Sequence, residues 1–240
     1  MTRVLAYVDG YNLYYGLRRQ RWLEFLWLDI PKLIGHFVLP GETLLQTRYF
    51  TSKVKDDSAK MQRQQTYLDA LTTLAALDIR RGNFARRRRH CRTCGSKWQT
   101  YIEKMTDTGM AAEIVADAAL NSFDTAVLLC GDSDMIPVVK MVKSLAPDKK
   151  VRVVIPPATK CLGLTKICDS NHKVRKKHLV ASQLPATVYL PNGSKIECPE
   201  MWKQPQYPVR KAHPIPKFLR RPMVYGLRRT IAKLGPLEFD

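Results

Sequence analysis

Residues 125–134, TAVLLCGDSD, join an apolar run directly to two aspartates, Asp132 and Asp134. A short apolar run bounded by turn residues is typical of a buried strand. Two like charges in one place repel each other, so a site that keeps both ionised usually offers them a cation. The same residues are also common in turns and helix caps, because Asp and Ser side chains accept hydrogen bonds from nearby backbone N–H groups. The segment alone leaves both roles open.

A third aspartate, Asp9, occupies the same kind of position. RVLAYVDG (3–10) is a short apolar run, which predicts a first strand that ends at Asp9. Strand patterns alternate with helical ones along the chain, and this alternation predicts an α/β fold with a parallel sheet between helices. Because a parallel sheet gathers its site at the carboxyl ends of its strands, we expect Asp9, Asp132 and Asp134 to lie together. This placement favours the cation site over simple turn caps.

The elements that must position these side chains follow from the same patterns. Beyond the first strand, the sequence predicts strands at 44–54, 78–84, 125–130 and 150–157. It predicts helices at 29–38, 59–77, 110–121 and 135–145, and a helix or an irregular turn at 12–19. A basic and aromatic segment, residues 86–104, leads from the third strand to the helix at 110–121.

The segment EKMTDTGMAAEIVADAAL (103–120) carries further carboxylates around one helix. Asp107 falls before or in its first turn, where a helix cap is the alternative role. Asp117 lies ten residues further on, which is nearly three turns, so both can face the sheet. For Asp117, a hydrogen bond to a local partner is an equally open interpretation.

Four blocks of the chain together resemble the NYN domain, in the LabA-like branch of the PIN-like nuclease superfamily. They are VDGYN (8–12), EKMTDTGMAAEIVADA (103–118), DTAVLLCGDSDMIPVV (124–139) and VVIPP (153–157). Thr108 and Gly109 stand where Val-Asn is common in that family. The resemblance extends over residues 1 to about 202, and it implies a three-layer PIN-like α/β fold.

The resemblance also implies the residues of a metal site. The four aspartates expected around a divalent ion are Asp9, Asp107, Asp132 and Asp134. Asn12 is implied as a polar catalytic partner beside Asp9, and Asp117 is an additional candidate ligand. Mg²⁺ and Mn²⁺ suit such a set, because both prefer oxygen ligands.

A divalent ion held this way can activate a water molecule and neutralise charge on a phosphodiester. The sequence therefore predicts a metal-dependent endoribonuclease, with RNA preferred over DNA on the strength of the resemblance. The alternatives are a non-catalytic RNA-binding module with the same fold and, third, a nucleotide phosphohydrolase. A pure binder gains nothing from acids that face a phosphate backbone, and a mononucleotide needs no extended positive field.

The chain is strongly basic, with 40 Lys and Arg against 21 Asp and Glu, a formal charge of +19. A polyanion is the natural partner of such a protein. The densest run of cations is Arg86, Arg87, Arg88, Arg89 and Arg92, and Trp98 follows as a residue that can stack on bases. The alternatives are a solvated loop for the arginines and a packing role for Trp98.

Cys91 and Cys94 have the spacing of a zinc knuckle. A structural zinc site needs four ligands, and the sequence holds no second CxxC pair. Zinc at these residues, a disulfide and two free thiols all remain open. Residues around 86–101, which include the pair, are interpreted as a basic insertion in a domain that spans 1–202.

Residues 203–240 differ in composition from the rest, with nine basic residues, two acidic ones and six prolines. They are interpreted as an extension that contacts a polyanion, a protein partner or a second copy of the chain, with a short helix at 224–235. No apolar stretch approaches the roughly 18 residues of a membrane span. The N-terminus reads as a strand rather than a signal peptide, so we expect no membrane partner and a cytoplasmic location.

Overall fold

The computed structural model of the chain describes residues 1–55 and 57–203. The strands are β1 (Thr2–Asp9), β2 (Glu42–Ser52), β3 (Leu77–His90), β4 (Lys97–Lys104), β5 (Thr125–Leu129), β6 (Lys150–Ile155), β7 (Ser170–Lys173), β8 (Thr187–Tyr189) and β9 (Lys195–Glu197). The helices are α1 (Gly10–Arg19), α2 (Ile30–Gly35), α3 (Ser58–Leu71), α4 (Thr106–Ala119), α5 (Ile136–Leu145), α6 (Leu162–Ile167), α7 (Lys176–Ala181) and α8 (Glu200–Lys203). Short 3-10 helices cover Leu23–Phe25 and Ser133–Met135.

Seven strands form one sheet in the order β4-β3-β2-β1-β5-β6-β7. The neighbours from β3 to β7 run parallel, and β4 alone pairs in the antiparallel sense, with β3. Parallel neighbours require a crossover, and these crossovers carry the helices. β1 and β5 lie side by side in the middle, so the two strands that end in the candidate aspartates are adjacent.

The two faces of the sheet carry separate apolar layers, because successive side chains of a strand point to opposite sides. Val4, Ala6 and Val8 of β1 pack in one layer with α1, α2 and α3. Leu5 and Tyr7 pack in the other with α4, α5 and α6. Helices therefore cover both sides of the sheet, and the predicted three-layer α/β architecture is confirmed.

Several elements differ from the sequence-based expectation in their bounds. The helix predicted at 29–38 covers Ile30–Gly35, and the helix predicted at 110–121 already begins at Thr106. The helix predicted at 59–77 ends at Leu71, where the hydroxyls of Thr72 and Thr73 donate back to the carbonyl oxygens of Asp69 and Ala70. The strand predicted at 78–84 runs on to His90 and pairs with β4 as a hairpin. The basic run is therefore β-structure, which excludes the alternative of a solvated loop and leaves the predicted phosphate contact as a prediction.

The sequence analysis also missed the elements that follow β6. β7 adds an edge strand beside β6, while β8 and β9 form a separate two-stranded sheet. The helix predicted at 224–235 lies outside the described residues. In residues 1–55 and 57–203, no helix combines the length and apolar composition that crossing a membrane requires.

Candidate active site

Asp9 is buried at the carboxyl end of β1 and joins three segments of the chain. Its Oδ1 accepts a hydrogen bond from the backbone N–H of Asn12 at 2.9 Å, which caps α1. Its Oδ2 accepts from the Asn12 amide and from the Cys130 thiol, the latter at 3.6 Å. The Asn12 side-chain oxygen in turn accepts from the N–H of Gly131 at 3.2 Å. Asn12 thus ties the end of β1 to the end of β5.

Burial raises the pKa of Asp9 to about 6, and the nearby charge of Asp107 adds to the shift. Burial also raises the pKa of Asp107, and the charges of Asp132 and Asp134 raise it further. Asp107 therefore lies within electrostatic range of Asp9, Asp132 and Asp134. The four aspartates that the sequence marked as candidate ligands lie at the same edge of the sheet.

Asp132 also has the capping role that the sequence left open. Its Oδ1 accepts a hydrogen bond from the N–H of Asp134 at 3.0 Å and so begins the 3-10 helix Ser133–Met135. The carboxyl group of Asp134 is exposed, as is that of Asp107 in the first turn of α4. The capping role of Asp132 is therefore compatible with a place in the acidic cluster, because the cap uses one carboxylate oxygen and leaves the other for a further interaction.

The donor chemistry at this edge fits a hard divalent ion, because carboxylate oxygens are what Mg²⁺ and Mn²⁺ prefer. Within the described residues, however, no three His, Cys, Asp or Glu side chains stand close enough together to share one ion. Two of the four carboxylates are exposed and so have room to change rotamer.

The structure places Asp117 apart from the four clustered aspartates. Its Oδ2 accepts a hydrogen bond from the Tyr7 hydroxyl at 2.6 Å, and its carboxylate is paired with the Arg48 guanidinium. Tyr7 precedes Asp9 by two residues, roughly 7 Å towards the amino end of β1. Asp117 is 7% exposed and holds α4 against the sheet. The local-partner interpretation describes this residue, and the structure does not support its role as a ligand.

Gly131 has a steric role that the sequence analysis did not assign. A Cβ at this position would lie 2.1 Å from Cγ2 of Thr159 and 3.5 Å from the side-chain oxygen of Asn12. A larger residue at this position would have to displace the Thr159 side chain, which follows β6. Because it follows Cys130 and precedes Asp132, Gly131 fixes where that carboxylate leaves the sheet.

The basic hairpin, residues 83–104, is called the arm here. β3 pairs with β2 as far as Gly82, opposite Ser52 at the carboxyl end of β2, and residues 83–90 pair with β4 alone. The arm therefore begins at the edge that carries the aspartates, and β4 returns to that edge just before Asp107. Within the arm, the exposed arginines are Arg87, Arg88, Arg89 and Arg92. The side chains of Arg86 and Trp98 lie outside what the structure describes.

Cys91 and Cys94 lie in the turn of the arm, and both are free thiols. Hydrogen bonds from the backbone N–H groups of Cys94 and Thr93 lower the pKa of Cys91 to about 7. The predicted insertion around 86–101 thus corresponds to most of the arm. Two thiols are too few for a structural zinc site within one chain.

Tyrosines on α1 were missed in the sequence analysis, although α1 begins beside Asp9. The ring of Tyr15 lies 5.9 Å from that of Tyr11 and 5.3 Å from that of Tyr14, between centroids. The Arg18 guanidinium lies 5.6 Å from the Tyr14 ring, and the Tyr15 side chain is exposed. Their spacing of three and four residues was the available signal, since such residues share one face of a helix.

The sheet and its two helical layers define an α/β domain consistent with a three-layer PIN-like fold. The NYN domain model matches residues 3–174, which is most of the chain, and the chain belongs to the NYN domain family. The chain is also 26% identical over 241 residues to 6-hydroxy-3-succinoylpyridine 3-monooxygenase HspA of Pseudomonas putida (strain DSM 28022 / S16), covering 83% of this chain and 75% of that protein. The crystal structure of a protein of unknown function, VPA0982 from Vibrio parahaemolyticus RIMD 2210633, aligns with a TM-score of 0.49 at 16% identity, over 76% of this chain and 96% of that one.

Proposed function

We propose that the chain is a metal-dependent endoribonuclease of the LabA-like branch of the NYN family. The observation that carries the proposal is the convergence of Asp9, Asp107, Asp132 and Asp134 on one edge of the sheet. Clustered carboxylates repel one another, and a bound cation relieves that repulsion. NYN and other PIN-like nucleases typically use divalent metals, which agrees with this donor set.

The four aspartates would hold Mg²⁺ or Mn²⁺, and Asn12 would keep the Asp9 carboxylate aimed at the ion through its two hydrogen bonds. When bound, such an ion lowers the pKa of a water molecule and neutralises charge on the phosphodiester. The Cys130 thiol, whose pKa is raised by burial, stays protonated and donates to Asp9. Gly131 sets the position of Asp132 relative to this pair.

RNA is the proposed substrate because the arm and α1 supply both kinds of contact that a single strand needs. Arg87, Arg88 and Arg89 are exposed on the arm and can neutralise phosphates. The tyrosine cluster on α1 offers ring faces for base stacking. The preference for RNA over DNA rests on the NYN family.

The alternative functions differ in whether they would use the edge aspartates and the arm. A non-catalytic RNA binder would keep the arm, but its aspartates would repel the phosphate backbone. A nucleotide phosphohydrolase would use the aspartates but not the arm. The Pseudomonas relative is named as a monooxygenase of a hydroxylated pyridine. The assays must therefore also test for that activity.

The experiment is single-turnover cleavage of a labelled single-stranded RNA, the matching DNA and a mononucleotide, each in Mg²⁺, Mn²⁺ and EDTA. We expect cleavage of RNA only with metal present. Asp132→Asn and Asp134→Asn should each slow it by more than about a hundredfold while RNA binding is retained. Asp148→Asn changes an exposed aspartate in the connection that precedes β6 and serves as the matched control.

Normal cleavage by both site variants, or cleavage unaffected by EDTA, would refute the metal site. RNA binding without cleavage in either metal would favour the binding module. A parallel assay would follow loss of 6-hydroxy-3-succinoylpyridine in the presence of O₂ and a reductant. Turnover of that compound by a chain that leaves RNA intact would replace the nuclease proposal with an oxygenase.

A further inference from the structure

The turn at the tip of the arm presents two thiols in a fixed frame. The N–H of Cys91 donates to the carbonyl oxygen of Ser96 at 2.8 Å, and the N–H of Gly95 donates to the carbonyl oxygen of Cys91 at 2.9 Å. Gly95 has a φ of +71°, a conformation that favours glycine. The CxxCG spacing therefore corresponds to a closed turn rather than to an open loop.

The two thiols of this turn have polar groups beside them. Cys94 Sγ lies 3.0 Å from the Ser96 hydroxyl oxygen, and the backbone N–H groups of Cys94 and Thr93 lower the pKa of the Cys91 thiol. Hydrogen bonds of this kind orient a sulfur ligand and stabilise its thiolate form. A buried structural thiol needs no such arrangement, whereas a metal-binding thiolate benefits from it.

The turn supplies two ligands, and a structural zinc site is closed by four. In the part of the chain that the structure describes, no third His, Cys, Asp or Glu completes a metal-binding group with these two. The pair lies beyond eight cross-strand residue pairs of the arm, from Asn83–Lys104 to His90–Lys97. That length is roughly 25 Å from the sheet. The described residues therefore supply two of the four ligands that a structural zinc site needs.

We propose that two copies of this chain bind one zinc ion between the tips of their arms, with Cys91 and Cys94 of each copy as its four ligands. A two-fold axis through the ion supplies the second pair of thiolates without any further sequence feature, and two-fold dimers are the commonest oligomers. Sulfur ligands in a tetrahedral set select zinc over Mg²⁺ or Mn²⁺. The site is independent of the acidic edge and of the nuclease proposal.

The charge of the arm is compatible with such a junction. Four thiolates around one Zn²⁺ carry a net charge of about −2, and each tip brings exposed arginines near it, Arg89 and Arg92. Without an ion between the tips, these arginines of the two copies would repel each other. The negative charge of the zinc–thiolate group attracts them instead. Zinc and dimer formation are therefore expected together.

The test uses the full-length chain, purified with reductant and Zn²⁺ and then desalted. We expect about one zinc per two chains and a dimer by light scattering, and a zinc chelator should yield monomers that re-form dimers when Zn²⁺ is returned. Co²⁺ in place of zinc should give an intense thiolate-to-cobalt absorption band, which carboxylate ligands do not produce. Cys94→Ser should abolish the band and the zinc-dependent dimer together.

Cys168→Ser, at a half-buried thiol outside the arm, is the matched control and should keep both properties. Circular dichroism of the monomeric Cys94→Ser chain should match that of the wild type, since the turn lies outside both apolar layers. A monomer that holds one zinc per chain would overturn the shared site. Absence of the cobalt–thiolate band, or a dimer unchanged by chelator and by Cys94→Ser, would overturn it equally.

Discussion

Asp117 and Asp134 are both aspartates in blocks that resemble the NYN domain, yet their surroundings differ. Asp117 is buried and accepts hydrogen bonds from Tyr7 and Arg48. Asp134 is exposed at the carboxyl edge. A buried charge that loses its partner is costly, whereas an exposed one is solvated with or without a neighbour. Stability measurements can therefore separate the two roles.

Asp117→Asn should lower the free energy of unfolding by about 2 kcal/mol, because the Arg48 guanidinium, 15% exposed, loses its closest anion and retains the ion pair with Glu113. Urea unfolding in EDTA measures the effect. Asp134→Asn is the control and should change stability by less than about 0.5 kcal/mol. Wild-type stability in Asp117→Asn, combined with loss of RNA cleavage, would instead make Asp117 a ligand.

Asp9 predicts a pH dependence of stability for the metal-free protein. Its pKa is raised by burial to about 6, above the value of about 3.9 in an unfolded chain. A raised carboxyl pKa contributes stability that is present below about pH 4 and is lost as the pH rises through 6. Asp9→Asn cannot ionise, so in EDTA the variant should gain up to about 3 kcal/mol relative to the wild type between pH 4 and 7.

Comparison of the two proteins isolates Asp9 from other titrating groups. The pKa values of His172 and His178 are lowered by burial, and lowered histidine pKa values act on stability with the opposite sign. Because they act alike in both proteins, they cancel in the difference. A difference between the two unfolding free energies that stays flat from pH 4 to 7 would show that Asp9 does not titrate in this range.

The sequence predicted the clustered aspartates because strand ends are readable from apolar runs. It could not place Asp117, since helical spacing puts Asp107 and Asp117 on one side of α4 without saying how far each is from β1. Arg48, its partner, lies in β2, and nothing in the local pattern links the two residues. Thr159 and Gly131 were missed for the same reason, since their contact depends on how two loops pass each other.

At the scale of elements, β1, β5 and β6 were predicted within one or two residues, because buried parallel strands are apolar throughout and end in turn residues. The arm was not predicted, because arginines have no strand pattern of their own. Its strands are held by cross-strand pairing, which local sequence does not reveal. The short elements after β6 have few apolar residues each and gave too little periodicity to detect.

The position of the arm predicts a role in RNA binding that salt dependence can measure. Replacing Arg87, Arg88 and Arg89 with Gln should weaken RNA binding and lower the slope of log affinity against log salt by about 0.7 for each lost phosphate contact. Cleavage at saturating RNA should change much less. Three exposed lysines outside the arm, Lys140, Lys150 and Lys177, form a matched control set when replaced with Gln. If that replacement lowers the slope equally, the arm contributes no more to RNA binding than other exposed cations do.

At the scale of the whole molecule, Trp202 packs against the body of the fold near the end of the described residues. Its ring lies 6.3 Å from that of Trp27 and 6.0 Å from that of Tyr67, between centroids. Trp27 and Tyr67 belong to the apolar layer over α1, α2 and α3, so α8 is anchored to the body of the fold. The extension of the domain to residue 202, past the end of the family match at residue 174, stays a prediction. The basic extension, from residue 204 onwards, lies outside the described residues.

We expect removal of residues 204–240 to leave the melting temperature nearly unchanged, because the truncated chain keeps Trp202 and all four edge aspartates. The deleted segment carries eight basic and two acidic residues, so RNA binding at moderate salt should weaken while metal-dependent cleavage at saturating RNA persists. Trp202→Ala in the truncated chain is the matched comparison. Loss of an aromatic contact of about 2 kcal/mol should lower its melting temperature by roughly 5 °C. Thermal melting and single-turnover cleavage of the two proteins decide the matter: a large fall in melting temperature on truncation alone would show that the extension stabilises the domain, and abolished cleavage would show that it shapes the site.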